Sequence, residues 1–195
     1  MLNKLRRKLL RIKNKNKDFT IFSSNCIGGV MISELGIRFN SPFVNLWLNA
    51  KDYIKFLKWP EKYLNCVMLF CREEGVNYPI GVLDDIKIYF YHYSTEKEAE
   101  ECWNRRKKRI NFDNLYVIFT DRDNCSYSDL LEFDNLPYKH KVVFTHKKYP
   151  KIKSSVYIRG FENCNQVGNL VATEGKIISK HIYERFDYVK WLNTK

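Results

Sequence analysis

The run Leu115-Tyr116-Val117-Ile118-Phe119-Thr120 constrains this chain more than any other segment, because six consecutive strand-forming residues with hardly a polar group belong inside a sheet. Asp121-Arg122-Asp123 follows at once, placing two carboxylates at the end of that strand. In an open α/β sheet the ligand crevice lies at such strand ends. Two acidic side chains there can hold a hard divalent cation, Mg or Mn, which in turn holds phosphate oxygens. The same spacing also suits a loop in which Asp121 caps the next segment, since Asp favours turns for its own hydrogen bonds.

The rest of the chain alternates strands and helices. Phe19-Thr20-Ile21-Phe22 reads as a strand, Ser23 to Gly29 as a polar glycine turn, and Val30, Met31 and Leu35 as one face of a helix ending at Gly36. Pro42 to Leu48 reads as a strand or tight apolar segment, residues 50–58 as a helix with Tyr53, Ile54 and Leu57 inward, and 66–70 as a buried strand. Ile86, Ile88, Phe90 and His92 share one phase of a period-two pattern. Thr95 and Glu98 form a capping box that opens a helix to about Ile110. After strand 115–119, the pattern predicts a helix over 127–133 capped by Ser126, a strand at 142–144, a hairpin near Arg159-Gly160 and a last helix near 179–192. This order predicts a three-layer α/β domain over 18–195 with a mixed, largely parallel sheet.

Composition matters chiefly through charge. Residues 1–17 hold eight Lys or Arg and no acid, taking eight of the net +12 and leaving +4 on the remainder. Leu2, Leu5, Leu9 and Ile12 recur at helical steps among them, so residues 1–17 read as a basic amphipathic helix. Such a helix suits an anionic membrane surface better than nucleic acid, because an apolar stripe has no use against phosphate; no specific nucleic acid is expected. A solubilising tail or a partner-docking helix fits the pattern too. No stretch approaches the roughly 20 apolar residues that cross a bilayer, and the basic start is not followed by a secretory apolar region. The expected location is cytoplasmic, peripheral to the inner face of the membrane. Six cysteines at irregular spacing suggest reduced thiols and offer no zinc pattern.

Several residues carry candidate chemistry. Gly28 and Gly29 at a helix start let backbone N–H groups approach an anion, with Ser24 and Asn25 beside them; a tight turn packing helix on strand explains the glycines equally. Cys26 at a helix N-terminus would have a lowered thiol pKa, so a Cys26 nucleophile with His92 as base is a second chemistry, of hydrolase or acyltransferase type. A structural Cys26 and a core His92 are the plainer readings. Asp84-Asp85 can supply a general base or form a hairpin turn. Arg105 and Arg109 share a helix face and can grip a diphosphate, or simply face solvent, and Asn111 can orient a polyol.

The Asp121/Asp123 pair resembles the Asp-x-Asp signature of glycosyltransferases that use nucleotide sugars. A wider resemblance rests on an ordered set: Ser-Ser-Asn-Cys-Ile-Gly-Gly (23–29), Ser-Pro-Phe-Val (41–44), Tyr-Pro-Ile-Gly-Val-Leu-Asp-Asp (78–85), Tyr-His-Tyr-Ser-Thr-Glu (91–96), Trp-Asn-Arg-Arg-Lys-Lys-Arg-Ile-Asn (103–111), Phe-Thr-Asp-Arg-Asp (119–123) and Glu-Phe-Asp-Asn-Leu-Pro (132–137). Over residues 18 to 190 the chain resembles a bacterial family of unknown-function domains, often labelled exopolysaccharide or capsule biosynthesis proteins. The family loop typically reads Ser-Asn-Asn-Cys-Trp-Gly-Gly, so Ser24 and Ile27 depart from it while Cys26, Gly28 and Gly29 match. The resemblance implies surface-glycan assembly on nucleotide- or lipid-linked sugars and transfers no catalytic residue. Together these features predict a metal-dependent, glycosyltransferase-like enzyme; the alternatives are a non-catalytic glycan- or anion-binding accessory protein, or the Cys26/His92 enzyme.

Overall fold

The computed structural model describes residues 2–194. In chain order, α1 (Leu2–Lys13), β1 (Thr20–Ser23), α2 (Ile27–Leu35), α3 (Ala50–Lys58) and α4 (Pro60–Asn65) lead to β2 (Leu69–Cys71), β3 (Ile80–Leu83) and β4 (Ile86–Tyr89). Next come α5 (Glu96–Lys107), β5 (Leu115–Thr120), α6 (Tyr127–Asn135), β6 (His140–Thr145) and β7 (Ser155–Tyr157). A short pair, β8 (Thr173–Glu174) and β9 (Lys180–His181), and α7 (Tyr188–Leu192) follow. The central sheet has the order β1-β5-β6-β7 and is parallel throughout, with Thr20 opposite Leu115 and Tyr116 opposite His140.

The apolar run of β5 explains the layering. All six of its residues are buried, and alternate side chains enter two separate cores. Val117 and Phe119 pack with Phe22, Phe43, Phe56, Trp103 and Phe133 under α3, α5 and α6. Tyr116 and Ile118 pack with Ile21, Met31, Phe144 and Leu192 under α2 and α7. The α/β domain and its largely parallel central sheet therefore follow from one strand buried on both faces. The antiparallel strands form their own sheet, β2-β3-β4, beside the first core.

Local signals behave as their chemistry requires. Gly36 ends α2 at φ 65 and donates to the carbonyls of Ile32 and Ser33. Ser126 caps α6 in a reciprocal box with Asp129. Thr95 accepts from the Glu98 N–H at 3.2 Å, but the Glu98 carboxylate takes the N–H of Ser94 instead of Thr95, so the box is closed one residue early.

Three expectations give way, and of the two readings of Pro42–Leu48 the tight apolar segment holds. Pro42–Leu48 is a buried irregular segment bound to β4 by a single bridge, Trp47 to Tyr89, because Asn45 turns it at φ 63. The strand near 66–70 begins at Leu69, and Val67 and Leu69 are exposed on an edge. After β7 the chain turns at Gly160 (φ 93) into a loop, and the hairpin is β8–β9. The last helix is split, since residues 180–181 pair as a strand and a 3-10 turn over Ile182–Arg185 precedes α7.

Candidate functional site

β1 and β5 are neighbours whose following helices go to opposite faces: α2 lies over the second core and α6 over the first. Chain leaving two adjacent parallel strands in opposite directions opens a crevice beyond their C-terminal ends. A cavity of about 560 Å³ lies there, lined in part by Asn25, Cys26, Trp47, Tyr91, His92 and Asp123.

One wall is aromatic. The Trp47 indole stacks on Tyr89 with centroids 4.0 Å apart and planes 9° apart, while their backbones exchange hydrogen bonds of 2.9 Å. Tyr91 is exposed beside it, meeting Tyr78 edge-on at 5.2 Å and His92 at 4.7 Å. His92 is not a core residue. β4 ends at Tyr89, and His92 sits in the turn beyond, exposed, its N–H donating to the Asn45 carbonyl at 3.4 Å.

The rest of the lining is largely polar. Asn25 donates to Thr120 Oγ1 at 3.1 Å and accepts from the Ile27 N–H at 3.2 Å. Arg122 donates to the Gly168 carbonyl at 3.0 Å. Asp123 and Asn124 hold φ of 58 and 65, a left-handed pair that costs strain without glycine; an Ala50 N–H to the Asp123 carbonyl at 3.0 Å pins it. Among the described residues the Asp123 carboxylate has no hydrogen-bond or ion-pair partner, and burial raises its pKa against the weaker opposing pull of Arg122. A half-buried, unpaired carboxylate is what a proton acceptor in a cleft requires.

Asp121, two residues earlier, points elsewhere. One carboxylate oxygen accepts from the His146 N–H at 2.7 Å and pairs with His146 Nδ1, and the other accepts from the Val167 N–H at 2.8 Å. Asp121 and His146 are both buried. With its oxygens committed to protein donors, Asp121 cannot share a cation with Asp123, so the expected Mg or Mn pair does not fit. Among the described residues, no three His, Cys, Asp or Glu side chains gather around a point that would suit a metal.

Cys26, His92, Asn25 and Asp123, far apart in sequence, thus share the cavity, but the thiol is not activated. Burial pushes the Cys26 pKa up, outweighing the lowering from its backbone hydrogen bond, which reverses the shift expected of a helix N-terminus. The sulfur's protein neighbour is the Leu46 carbonyl at 4.0 Å.

The remaining candidates lie elsewhere. Gly28 and Gly29 are buried packing positions: a Cβ on Gly28 would come within 2.8 Å of Ile21 Cγ2 and 2.9 Å of Ser23 Cβ, and one on Gly29 within 3.4 Å of Val44. Gly28 lets α2 lie close on β1, Gly29 lets it lie close on the 42–48 segment, and neither lines the cavity. Ser24 extends the sheet, donating to Ile118 and accepting from Leu48, with its hydroxyl buried. Asp84 and Asp85 form the β3–β4 turn, exposed and ion-paired with Lys62 and Lys55 at 2.6 and 2.8 Å. Lys55 and then the Tyr63 hydroxyl hold the Asp85 carboxyl down to about 2. Arg105 and Arg109 lie on and just past the end of α5 over a shallow surface, Arg109 donating to the Phe39 carbonyl at 3.3 Å. Asn111 binds Thr20 and Asp18 at the N-terminal edge of β1, the wrong end of the sheet. Conversely, Trp47, Tyr91 and Arg122 line the cavity with only weak advance notice: Trp47 and Tyr91 stand in strand-like patterns, and Arg122 lies hidden between two carboxylates.

A family model described as a domain of unknown function (DUF1919) matches residues 1–193. A relative from Haemophilus influenzae, described as an uncharacterized protein, is 45% identical over 184 residues, covering 94% of this chain and 88% of the relative. The family match takes in α1 and so reaches beyond the 18–190 span carried by the motifs.

Proposed function

The chain belongs to the DUF1919 domain family, and on that premise we propose that its β1–β5 cleft binds a nucleotide-linked or lipid-linked sugar in the assembly of a surface polysaccharide, as a glycosyltransferase-like enzyme. The observation that carries this reading is one cavity lined both by aromatic rings, Trp47 and Tyr91, and by a carboxylate, Asp123, that has no partner among the described residues. Sugar rings offer C–H faces to aromatic side chains and hydroxyls to polar ones, and the cleft presents both.

Asp123 takes the proton of an acceptor hydroxyl while the acceptor oxygen bonds to the sugar's anomeric carbon. The bond from that carbon to the leaving phosphate oxygen breaks, and the phosphate departs with the electron pair. Arg122 supplies positive charge on the same wall. No step runs through a cation held by Asp121.

Titration of Trp fluorescence with nucleotide sugars and glycans tests the reading. Saturable quenching is expected, with Trp47→Ala weakening it by about tenfold, the worth of one aromatic stack. Asp123→Asn should keep binding and lose transfer of labelled sugar. Absence of saturable binding, or binding indifferent to Trp47→Ala, would remove the sugar site. Binding without transfer by the wild-type chain would favour the accessory-protein alternative. The Cys26/His92 alternative needs a reactive thiolate near neutral pH, against the raised Cys26 pKa; rapid Cys26 alkylation at pH 7 would restore it.

A further inference from the structure

Helix α1 is docked on the domain without burying its leucine stripe, although a surface helix usually buries its apolar stripe. Arg6, Arg11 and the half-buried Leu10 contact the domain, while Lys4, Arg7, Lys8 and Lys13 are exposed. Arg6 is nearly buried and pairs with Glu34 at 3.2 Å and with Glu184, while Arg11 Nε donates to the Glu34 carbonyl at 3.0 Å. Glu34 is itself buried and also accepts from the Tyr183 hydroxyl at 3.1 Å. The apolar side faces out: Leu2, Leu5, Leu9 and Ile12 are 44%, 53%, 49% and 56% exposed. At 100° per residue they fall within about 80° of arc.

This stripe does not end with the helix. The Ser179 N–H donates to Asn3 Oδ1 at 3.0 Å, bringing the β8–β9 hairpin against the start of α1. Ile177 and Ile178 at the hairpin are 78% and 41% exposed. Lys4 and Lys8 flank the stripe on one side and Lys13 on the other, and Lys180 lies across a groove beside the stripe that Glu184 and the exposed Asp187 also line. None of the four lysines makes an ion pair among the described residues.

We propose that α1 and the β8–β9 hairpin form a docking face for an anionic lipid bilayer, with Leu2, Leu5, Leu9, Ile12 and Ile177 entering the headgroup boundary and the lysine rim meeting lipid phosphates. A strip of leucines rimmed by cations matches the two layers of an anionic bilayer surface, apolar below and negative above. Charge selects this occupant over a second copy of the chain, since that would set one +12 molecule against another across the same basic rim. The Arg6–Glu34–Glu184 network makes the face part of the rigid domain, so docking fixes the orientation of the whole molecule. The inference does not depend on what the β1–β5 cleft binds.

The test is flotation of the full chain with vesicles of phosphatidylglycerol and phosphatidylcholine, and with phosphatidylcholine alone. The wild type is expected to bind the mixed vesicles and release from them in high salt. Leu5→Ser/Leu9→Ser should bind at least about tenfold more weakly, as the loss of two inserted leucines requires, with an unchanged melting midpoint because both side chains already face water. Ile177→Ser, outside the helix, should weaken binding about threefold. A wild type that ignores the mixed vesicles, or a double variant that binds as well as wild type, overturns the proposal. So does a wild-type dimer in sedimentation velocity that Leu5→Ser/Leu9→Ser converts to monomer without any vesicle binding.

Discussion

The two ends of the β1–β5 strand pair present opposite chemistry. At the N-terminal end, polar side chains satisfy one another: Asn114 donates to the Asp18 carbonyl at 2.6 Å and to Asn16 at 2.9 Å, and the Tyr116 hydroxyl donates to the Leu192 carbonyl at 2.9 Å. A depression of about 690 Å³ lies there, larger than the cleft at the other end. At the C-terminal end, Asp123, His92 and Tyr91 line the cleft, and the Asp123 carboxylate has no partner among the described residues. Size does not separate the two ends; a half-buried carboxylate without a partner does, since Asp113 at the N-terminal end is exposed to solvent. Groups that hold a fold together have their partners within it, and groups that await a ligand do not.

The sharpest way to break this contrast lies within three residues at the C-terminal end. Asp121 is counted with the scaffold and Asp123 with the site. Asp121→Ala would strand the His146 side chain and the His146 and Val167 N–H groups, all buried, and should cost about 3–5 kcal/mol in urea unfolding, as removal of one member of a buried pair does. A near-wild-type stability would mean that Asp121 is a site residue after all. Next in size is Gly28→Ala. Its added methyl meets Ile21 and Ser23 on the rigid strand β1 at 2.8–2.9 Å, so a loss of about 1–3 kcal/mol is expected from overpacking, with ligand affinity kept. A stable variant with lost phosphate binding would show instead that the glycines cradle an anion. Asn114→Ala, at the other end, should cost about 1–2 kcal/mol for its lost hydrogen bonds and leave binding at the cleft untouched.

How legible each part was in the sequence follows from the range of the interactions involved. β5, α3 and the Ser126 cap depend on contacts within a few residues, so propensity and spacing found them. The split of the last helix depended on β8 pairing with β9, a contact no local pattern announces. The site was half legible. Cys26 and Asp123 lie in loops that follow β1 and β5, and strand ends are readable. His92 was recognised as a candidate but assigned to the wrong surroundings, because the period-two pattern of Ile86, Ile88 and Phe90 runs past the point where β4 stops pairing. The Asp-x-Asp spacing does not reveal that Asp121 is held by His146 and Val167 while Asp123 lines the cleft, because those partners lie far along the chain. His146 carried no signal, since its role exists only opposite Asp121 across β5 and β6. The leucine stripe of α1 was plain in sequence, whereas its outward orientation depends on Glu34 and Glu184, far along the chain.

The smallest effect expected is also the most diagnostic, because its sign is opposite to that of Asp85, a carboxylate paired within the scaffold. Burial raises the Asp123 pKa in the folded chain above its ordinary value near 4. Well below pH 4 the group is protonated in both states and adds nothing to the pH dependence. As the pH climbs, the unfolded chain ionises first, so stability falls through the interval between the two values and stays lowered above the folded one. Asp123→Asn removes that penalty and tolerates the left-handed backbone, so it should melt above wild type at pH 7 and converge with it toward pH 3 while sugar transfer is lost. Asp85 sets the opposite standard: its pKa, held down to about 2 first by Lys55 and then by Tyr63, contributes stability above the ordinary carboxylate range that is lost as the pH falls toward 2. Asp85→Asn should therefore melt slightly below wild type at pH 7 and leave transfer intact. If Asp123→Asn instead behaved like Asp85→Asn, destabilised at neutral pH, the Asp123 carboxylate would have a protein partner, and the distinction between the two ends of the strand pair would lose its main support.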